Sequence, residues 1–324
     1  MSIAVPLYGF GASGGSPNKS TIIVTAPTGS TVTCKMGSIT KTAPEKSGVW
    51  TFGGLDLGTW TLTATKGSDT TTQDVAITRL TVEYVTLVYR MTPEFTYTGD
   101  YEIVDDSDNP ISDFASWKNS WKIRFLTSGT FTVTKLNGWD GRLDVFLVGG
   151  GGNGETIRGA RGGGGGYTKT VKGISIAIAT PYTVTIGASS GTSSAFGASA
   201  NGASGANGGS GGGGGGSSSG TSGDGGSNGG NGTAGNVSGG GTGQGTTTRE
   251  FGEATGKLYS GGGGGSAADA GAAGDSTAGA GAAYGQAAKN GVANTGGGGG
   301  AAYDGTAGTG GSGIVIIRNA RGAA

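Results

Sequence analysis

Leu143-Asp144-Val145-Phe146-Leu147-Val148 runs directly into Gly149-Gly150-Gly151-Gly152, and near the other end Gly311-Ser312-Gly313 runs back into Ile314-Val315-Ile316-Ile317-Arg318. Both apolar stretches have the length and the Val/Ile/Phe content of buried strands. Between them stand further glycine blocks: Gly162–Gly166, Gly211–Gly216, Gly239–Gly241, Gly261–Gly265 and Gly296–Gly300. Of the 77 glycines, 15 precede Gly149, which leaves 62 (77 − 15) for the last 176 residues. A flexible linker has no reason to begin and end on buried-type strands. The pattern predicts a folded domain made largely of glycine, better suited to displaying loops than to performing chemistry.

Composition narrows the field. A chain of 324 residues suggests two or three domains. Glycine does not recur at every third position, which excludes collagen. Net charge is zero and no basic run exists, so neither nucleic acid nor insertion into a membrane is expected. No stretch approaches the roughly 20 apolar residues of a membrane helix. Cys34 is the only cysteine, so there is no internal disulfide framework. Histidine is absent, which removes the usual general base, Ser/His/Asp and Cys/His arrangements and every His-based metal site. No enzyme activity, cofactor or metal is expected. Residues 1–15 lack a basic region followed by an apolar one, so synthesis in a cytoplasm without an export signal is expected.

Residues 1–91 are read as a β-sandwich. Ser20–Thr25, Ser30–Lys35, Gly48–Phe52, Gly58–Thr65, Gln73–Ile77 and Thr81–Tyr89 are rich in Thr, Val and aromatics and mostly alternate with period two. Trp50, Trp60, Leu62 and Ile77 are the expected core, with stacking on carbohydrate as the other role open to the two tryptophans. Residues 92–120 are read as an acidic connector, because Asp100, Glu102, Asp105, Asp106, Asp108 and Asp113 surround Asn109-Pro110. The alternation of a calcium loop is missing there, and a solvated turn is the simpler reading. A glycosidase-like carboxylate pair is not separated by spacing from a charged loop. Residues 121–324 form the glycine-rich domain, with further strands at Trp121–Phe125, Gly129–Thr134, Arg142–Val148, Tyr167–Val171, Pro181–Gly187 and Gly313–Arg318.

Two motifs fail on inspection. Gly149, Gly151 and Gly154 form a GxGxxG after a strand, but no helical period follows to face a pyrophosphate. Gly252-Glu253-Ala254-Thr255-Gly256-Lys257 is one residue short of a phosphate loop, and Leu258 stands where Ser or Thr is needed.

The glycine blocks have a physical route to order. Fixing a residue costs roughly 1–2 kcal/mol, and more for glycine. A polyproline-II-like glycine helix makes no internal hydrogen bonds, so its amides must bond to neighbours. Without Cβ atoms such helices approach closely on all sides, gaining about 1 kcal/mol per amide bond and about 0.5–1 kcal/mol per Cα–H···O contact. The expected architecture is therefore all-β with almost no α-helix: a sandwich, then a β-platform carrying a bundle of packed polyglycine II helices. If the blocks alternately leave and return, Glu155–Arg161, Ser217–Ser238 and Ser266–Thr295 lie at the far tip, while Thr246–Ser260 and Ala301–Gly310 lie near the platform.

Phe146–Gly152, Gly245-Thr246-Thr247-Thr248-Arg249-Glu250-Phe251-Gly252 and Gly311–Arg318 carry a resemblance to the glycine-rich domain of phage and prophage tail proteins. Tail proteins of phages infecting gut Firmicutes are the particular comparison. The resemblance covers about 121–324, and residues 21–89 resemble the immunoglobulin-like modules of such proteins. It implies a tail-fibre adhesin whose polyglycine helices display receptor-binding loops, in a virion assembled in the host cytoplasm and released by lysis. The implied partners are a bacterial cell-surface receptor, glycan or protein, and other tail or virion proteins, with a homo-oligomer such as a trimer among the expected assemblies. Arg249, Glu250 and Phe251 belong to the recurring motif and are read as scaffold. Candidate contacts are Arg158 and Arg161 in the first tip loop, Asn228, Asn231 and Asn236 in the second, and Tyr284, Gln286, Lys289 and Asn290 in the third. Two other classes compete: a self-assembling fibre or coat protein, and a glycan depolymerase using Asp or Glu pairs.

Overall fold

A computed structural model describes residues 19–66, 69–87, 92–117, 120–137, 139–157, 159–213, 222–225, 231 and 248–320. The chain divides into two compact units, Met1–Met91 and Thr92–Ala324.

The first unit holds β1 (Ser20–Thr25), β2 (Thr31–Met36), β3 (Ile39–Thr42), β4 (Val49–Leu55), β5 (Gly58–Lys66), β6 (Asp69–Ile77) and β7 (Val82–Thr86). They form one sheet of order β4-β1-β7 and another of order β3-β2-β5-β6. Alternation sets the packing: Ile22, Val24, Val32, Cys34, Trp50, Phe52, Trp60, Leu62 and Ile77 form a single buried cluster. Trp50 and Trp60 are 2% and 1% exposed, so both are packing residues with no face left for a sugar. The indole N–H of Trp60 donates to Asp56 O at 3.0 Å, which satisfies its one polar atom. Strand β3 was not expected. Its sequence, Ile39-Thr40-Lys41-Thr42, offers a single apolar residue, and pairing with β2 through a turn at Gly37 holds it as an edge strand.

The second unit holds β8 (Glu94–Tyr97), β9 (Tyr101–Val104), β10 (Lys122–Phe125), β11 (Gly129–Lys135), β12 (Arg142–Val148), β13 (Thr168–Ser175), β14 (Pro181–Val184), β15 (Ser193–Ala195), β16 (Ala198–Ala200) and β17 (Ile314–Asn319). A five-stranded sheet of order β13-β12-β17-β10-β9 and a three-stranded sheet of order β14-β11-β8 share a core of Trp121, Ile123, Phe125, Phe131, Val133, Leu143, Val145, Leu147, Val184, Val315 and Ile317. Residues 92–120 are not a separate connector. Strand β8 pairs with β11 and β9 with β10, because Phe95, Tyr97 and Ile103 lean on that core. The opposite face of β12 and β17, carrying Phe146, Val148, Ile314 and Ile316, is covered by Phe251 and Tyr259. These two central strands are therefore buried on both sides, as their unbroken apolar runs require.

Gly149 leaves the end of β12 into a lattice of extended segments. Their amides bond with a period of three. Gly149 and Gly152 donate to Tyr167 and Gly164, on one neighbour, and Gly151 and Gly154 donate to Gly311 and Gly308, on another. Gly162 and Gly165 donate to Gly213 and Ser210, while Gly163 and Gly166 donate to Gly299 and Gly296. Residues three apart facing the same neighbour is the signature of a threefold polyglycine II helix. The segment 160–167 is thereby bonded to neighbours at 149–152, 201–205, 209–213, 263–266 and 296–299.

The register also gives each segment's direction. Segment 149–154 runs away from the sheets and 162–166 returns antiparallel to it, into β13. Segment 261–266 runs outward, antiparallel to the returning 162–166 through Gly263→Gly163 and Ser266→Ala160. Segments 279–282 and 296–301 are parallel to it, through Gly298→Gly261, Ala301→Gly264, Gly279→Gly298 and Ala282→Ala301. Segments 271–274, 289–292 and 308–311 return. The described residues of the first turn, 155–157 and 159–161, and turns 266–270, 283–288 and 302–307 consequently lie at the remote end, and 248–260, 275–278 and 293–295 at the sheet end. Two expectations change. Residues 266–295 hold a return, 271–274, and then one further out-and-back excursion, 279–292, rather than one tip loop, and 301–307 sit at the remote end instead of near the platform. The expected tip segment 217–238 lies almost wholly outside the described residues.

Candidate functional site

At the sheet end, Arg249-Glu250-Phe251 is clamped in place. Arg249 donates to Gly256 O at 3.0 Å and closes its own loop. The buried Glu250 lies 2.9 Å from Lys122 Nζ and 3.5 Å from Arg124 Nη2, and it accepts from the Tyr259 hydroxyl at 3.3 Å. Lys122 and Arg124 also bind Asp108. Burial raises the Asp108 pKa, but hydrogen bonds from Arg124 and Lys122 outweigh it and hold the carboxyl below the usual range. Burial, aided by Glu250, pushes the Tyr259 phenol well above its ordinary value. Arg318 joins Asp144 at 3.2 Å and Glu253 at 2.7 Å and stacks 4.0 Å over Phe251. A cavity of about 360 Å3 beside this network is lined by Asp106, Asp108, Glu253, Lys257 and Arg318 among others. Most of these charges are committed to one another, and the cluster's evident work is to fasten the lattice to the sheets.

The acidic turn that suggested calcium is organised differently. Asp105 accepts the backbone N–H of Ser107 at 2.8 Å and of Asn109 at 2.9 Å, and it takes the Asn109 amide as well. Asp108, at φ +65°, turns inward to the two cations. Among the described residues no group of three or more His, Cys, Asp or Glu side chains converges on a point.

The remote end gathers loops from four turns. Ala302 N–H donates to Glu155 O at 3.0 Å, Ser266 N–H to Ala160 O at 3.1 Å, and Ala282 N–H to Ala301 O at 2.9 Å. Within this face Tyr284 is 59% exposed and meets Tyr303 edge-on, with ring centroids 4.9 Å apart at 71°. A hydrogen bond from its hydroxyl to Asp304 raises the Tyr284 phenol pKa. Gln286 is exposed beside them, its N–H donating to Ala283 O at 3.0 Å.

The other candidates are placed as follows. Arg161 is tied to Glu155, with Nε at 3.0 Å and Nη2 at 2.7 Å from one carboxylate oxygen, and this pair closes the first loop. Asn231 accepts from Gly225 N–H at 2.9 Å and donates to Asp224 at 3.3 Å. Lys289 and Asn290 stand on a returning segment. Lys289 exchanges backbone bonds with Ala280 and Gly300, and Asn290 Oδ1 accepts from Thr309 N–H at 2.9 Å. Arg158, Asn228 and Asn236 lie outside the described residues. Tyr303 and Asp304 were not anticipated. Correct segment directions would have placed them at the tip, and an aromatic beside an acid in an alanine-glycine stretch was the visible signal.

These features define a class: a two-layer β-platform bearing a hydrogen-bonded glycine lattice with its loops gathered at one end. Residues 126–320 match the family model described as a glycine-rich domain, and the chain belongs to that family. No curated protein matches the chain. Among solved structures, a DUF3823 family protein from Bacteroides ovatus is similar over 58% of this chain and 96% of that one, at 13% identity and a TM-score of 0.19, a likeness too slight to carry any argument.

Proposed function

We propose that this chain is a non-enzymatic, receptor-binding component of a phage tail fibre that presents its lattice loops to the bacterial surface. The observation that carries the reading is the collection of the described residues 155–157 and 159–161 with loops 266–270, 283–288 and 302–307 at one end of a lattice whose amides are bonded to one another. Loops held by a rigid scaffold are the usual seat of recognition, and loops already ordered lose little entropy on binding. The first unit, similar in sequence pattern to an immunoglobulin-like module, would serve as a spacer or as the attachment to other virion proteins.

The test is saturable adsorption of the fluorescently labelled full chain to a panel of gut Firmicutes strains, read by flow cytometry. At least one strain should bind the wild type and lose it with Tyr284→Ala/Gln286→Ala, while Tyr84→Ala in the first unit, at a residue 75% exposed, keeps it. Absence of saturable adsorption on every strain, together with concentration-dependent polymerisation in light scattering, would replace this reading with that of a structural fibre.

A further inference from the structure

Residues 261–312 contain two aromatic side chains, Tyr284 and Tyr303. They stand on different turns, yet the lattice brings them together at its remote end with centroids 4.9 Å apart. If the pair served only to zip the turns together, both rings would be expected to bury. Tyr284 instead keeps 59% of its surface open, Asp304, itself exposed, accepts a hydrogen bond from its hydroxyl, and Gln286 stands exposed two residues further along the same turn.

The arrangement is fixed by backbone before any ligand arrives. Gly285 N–H donates to Tyr303 O at 2.9 Å and Ala288 N–H to Thr306 O at 2.9 Å. Gly305 sits so close to the Gln286 carbonyl that no side chain fits between them. The ring, the carboxylate and the amide are thus held on two turns that cannot slide past each other without breaking these bonds.

We propose that this tip is a carbohydrate subsite for a neutral pyranose of a cell-surface glycan, with the Tyr284 ring under the sugar's C–H face and Asp304 and Gln286 bonding its hydroxyls. The proposal rests on the receptor-binding reading and names its ligand class. A pyranose presents an apolar C–H face bordered by hydroxyls, and an exposed aromatic ring bordered by a carboxylate acceptor and an amide donor-acceptor is its complement. Charge selects the neutral sugar. Among the described residues of the four turns, Glu155 is neutralised by Arg161 at 2.7 Å, which leaves Asp269 and Asp304 as the remaining formal charges. An anionic glycan would meet like charge there.

Saturation-transfer NMR on the full chain, with the methyl glycosides of glucose, galactose and N-acetylglucosamine as probes and methyl galacturonide as the anionic control, tests the subsite. At least one neutral glycoside should receive saturation on its ring C–H protons at millimolar concentration, and the galacturonide should not. Tyr284→Ala should weaken binding at least about tenfold and Asp304→Asn several-fold, whereas Tyr284→Phe retains the stacking signal. Amide exchange of the lattice in each variant separates a lost contact from a lost fold. Equal transfer in the wild type and Tyr284→Ala, or transfer from none of the neutral glycosides, overturns the proposal. Cell adsorption that survives periodate but not protease would point to a protein receptor, so that the subsite falls and the receptor-binding reading stands. Sugar binding without adsorption to any strain would leave the subsite standing and the tail-fibre reading refuted.

Discussion

Replacing Gly163 by alanine puts one methyl group at the centre of the lattice. Gly163 donates to Gly299 O at 2.8 Å and accepts from Gly263 N–H at 2.8 Å. A Cβ built on it would lie 1.9 Å from the Gly152 carbonyl oxygen and 2.5 Å from its carbon, where ordinary contact begins at 3.4 Å. Relief requires segments 149–154 and 162–166 to part by about 1.5 Å (3.4 − 1.9). The bonds from Gly152 to Gly164 O, at 2.8 Å, and from Gly299 to Gly152 O, at 2.9 Å, do not survive such a displacement. Leaving two or three buried amide groups unpaired at about 1–3 kcal/mol each puts the cost at about 2–9 kcal/mol, a large part of a typical domain's stability. Gly285→Ala is the control: nothing lies within 4 Å of its Cβ, and its φ of +69° limits the penalty to about 1–2 kcal/mol. Amide exchange by mass spectrometry reads the outcome. Gly163→Ala should lose protection in residues 149–154, 162–166, 261–265 and 296–300, and Gly285→Ala should keep it. Wild-type protection and an unchanged unfolding midpoint in Gly163→Ala would refute the close-packed lattice.

Three further outcomes follow from the charges and the thiol. Glu250→Gln strands Lys122 and Arg124, both largely buried, with only Asp108 as partner. It should cost about 3–5 kcal/mol, measured as earlier exchange of 122–125 and 314–319 in a denaturant series. Because the folded Asp108 pKa is depressed, its contribution is present above the unfolded value and is lost as pH falls through the folded one. Acid titration below about pH 4 should therefore destabilise the second unit more in the wild type than in Asp108→Asn, and parallel acid curves would contradict the clamp. Burial pushes the Cys34 thiol up to about 11, so iodoacetamide at pH 8 should alkylate it only at the rate at which the first unit opens. Rapid labelling of the native chain would show the thiol to be accessible.

What the sequence made legible depended on which physics wrote the pattern. Strands whose side chains choose a side, such as β5 with Trp60, Leu62 and Ala64 on its buried face, announce themselves by period two. Strands β12 and β17 announce themselves by unbroken apolarity, and their burial on both faces follows. The segment 94–104 was obscured because its acids drew the reading away from Phe95, Tyr97 and Ile103. The lattice was legible in kind but not in count. Its rule is written in backbone bonds, and at its perimeter a side chain can point outward without parting any neighbours. Ala280, Lys289 and Asn290 therefore occupy segments that bond as the pure glycine blocks do. Counting only glycine blocks missed 271–274, 279–282 and 289–292, and this error in parity put Tyr303 and Asp304 at the wrong end.

The same backbone rule explains how such a lattice can mix directions that a sheet keeps apart. A threefold helix turns each successive amide by about a third of a turn, so a segment faces neighbours on several sides. Segment 261–266 can then bond an antiparallel neighbour at 160–163 and a parallel one at 298–301 simultaneously. Inserting one residue into a segment would rotate every later amide away from its partner, whereas inserting it into turn 302–307 would disturb that turn's own bonds, Gly285 to Tyr303 and Ala288 to Thr306, but not those of segment 261–266. Inside the lattice, even one methyl at Gly163 collides with a carbonyl. At the turns, Ile157, Tyr284, Gln286 and Asp304 stand exposed, with room for other side chains. The fold thus confines most of its tolerance for change to its turns, which suits the receptor-binding role proposed for it.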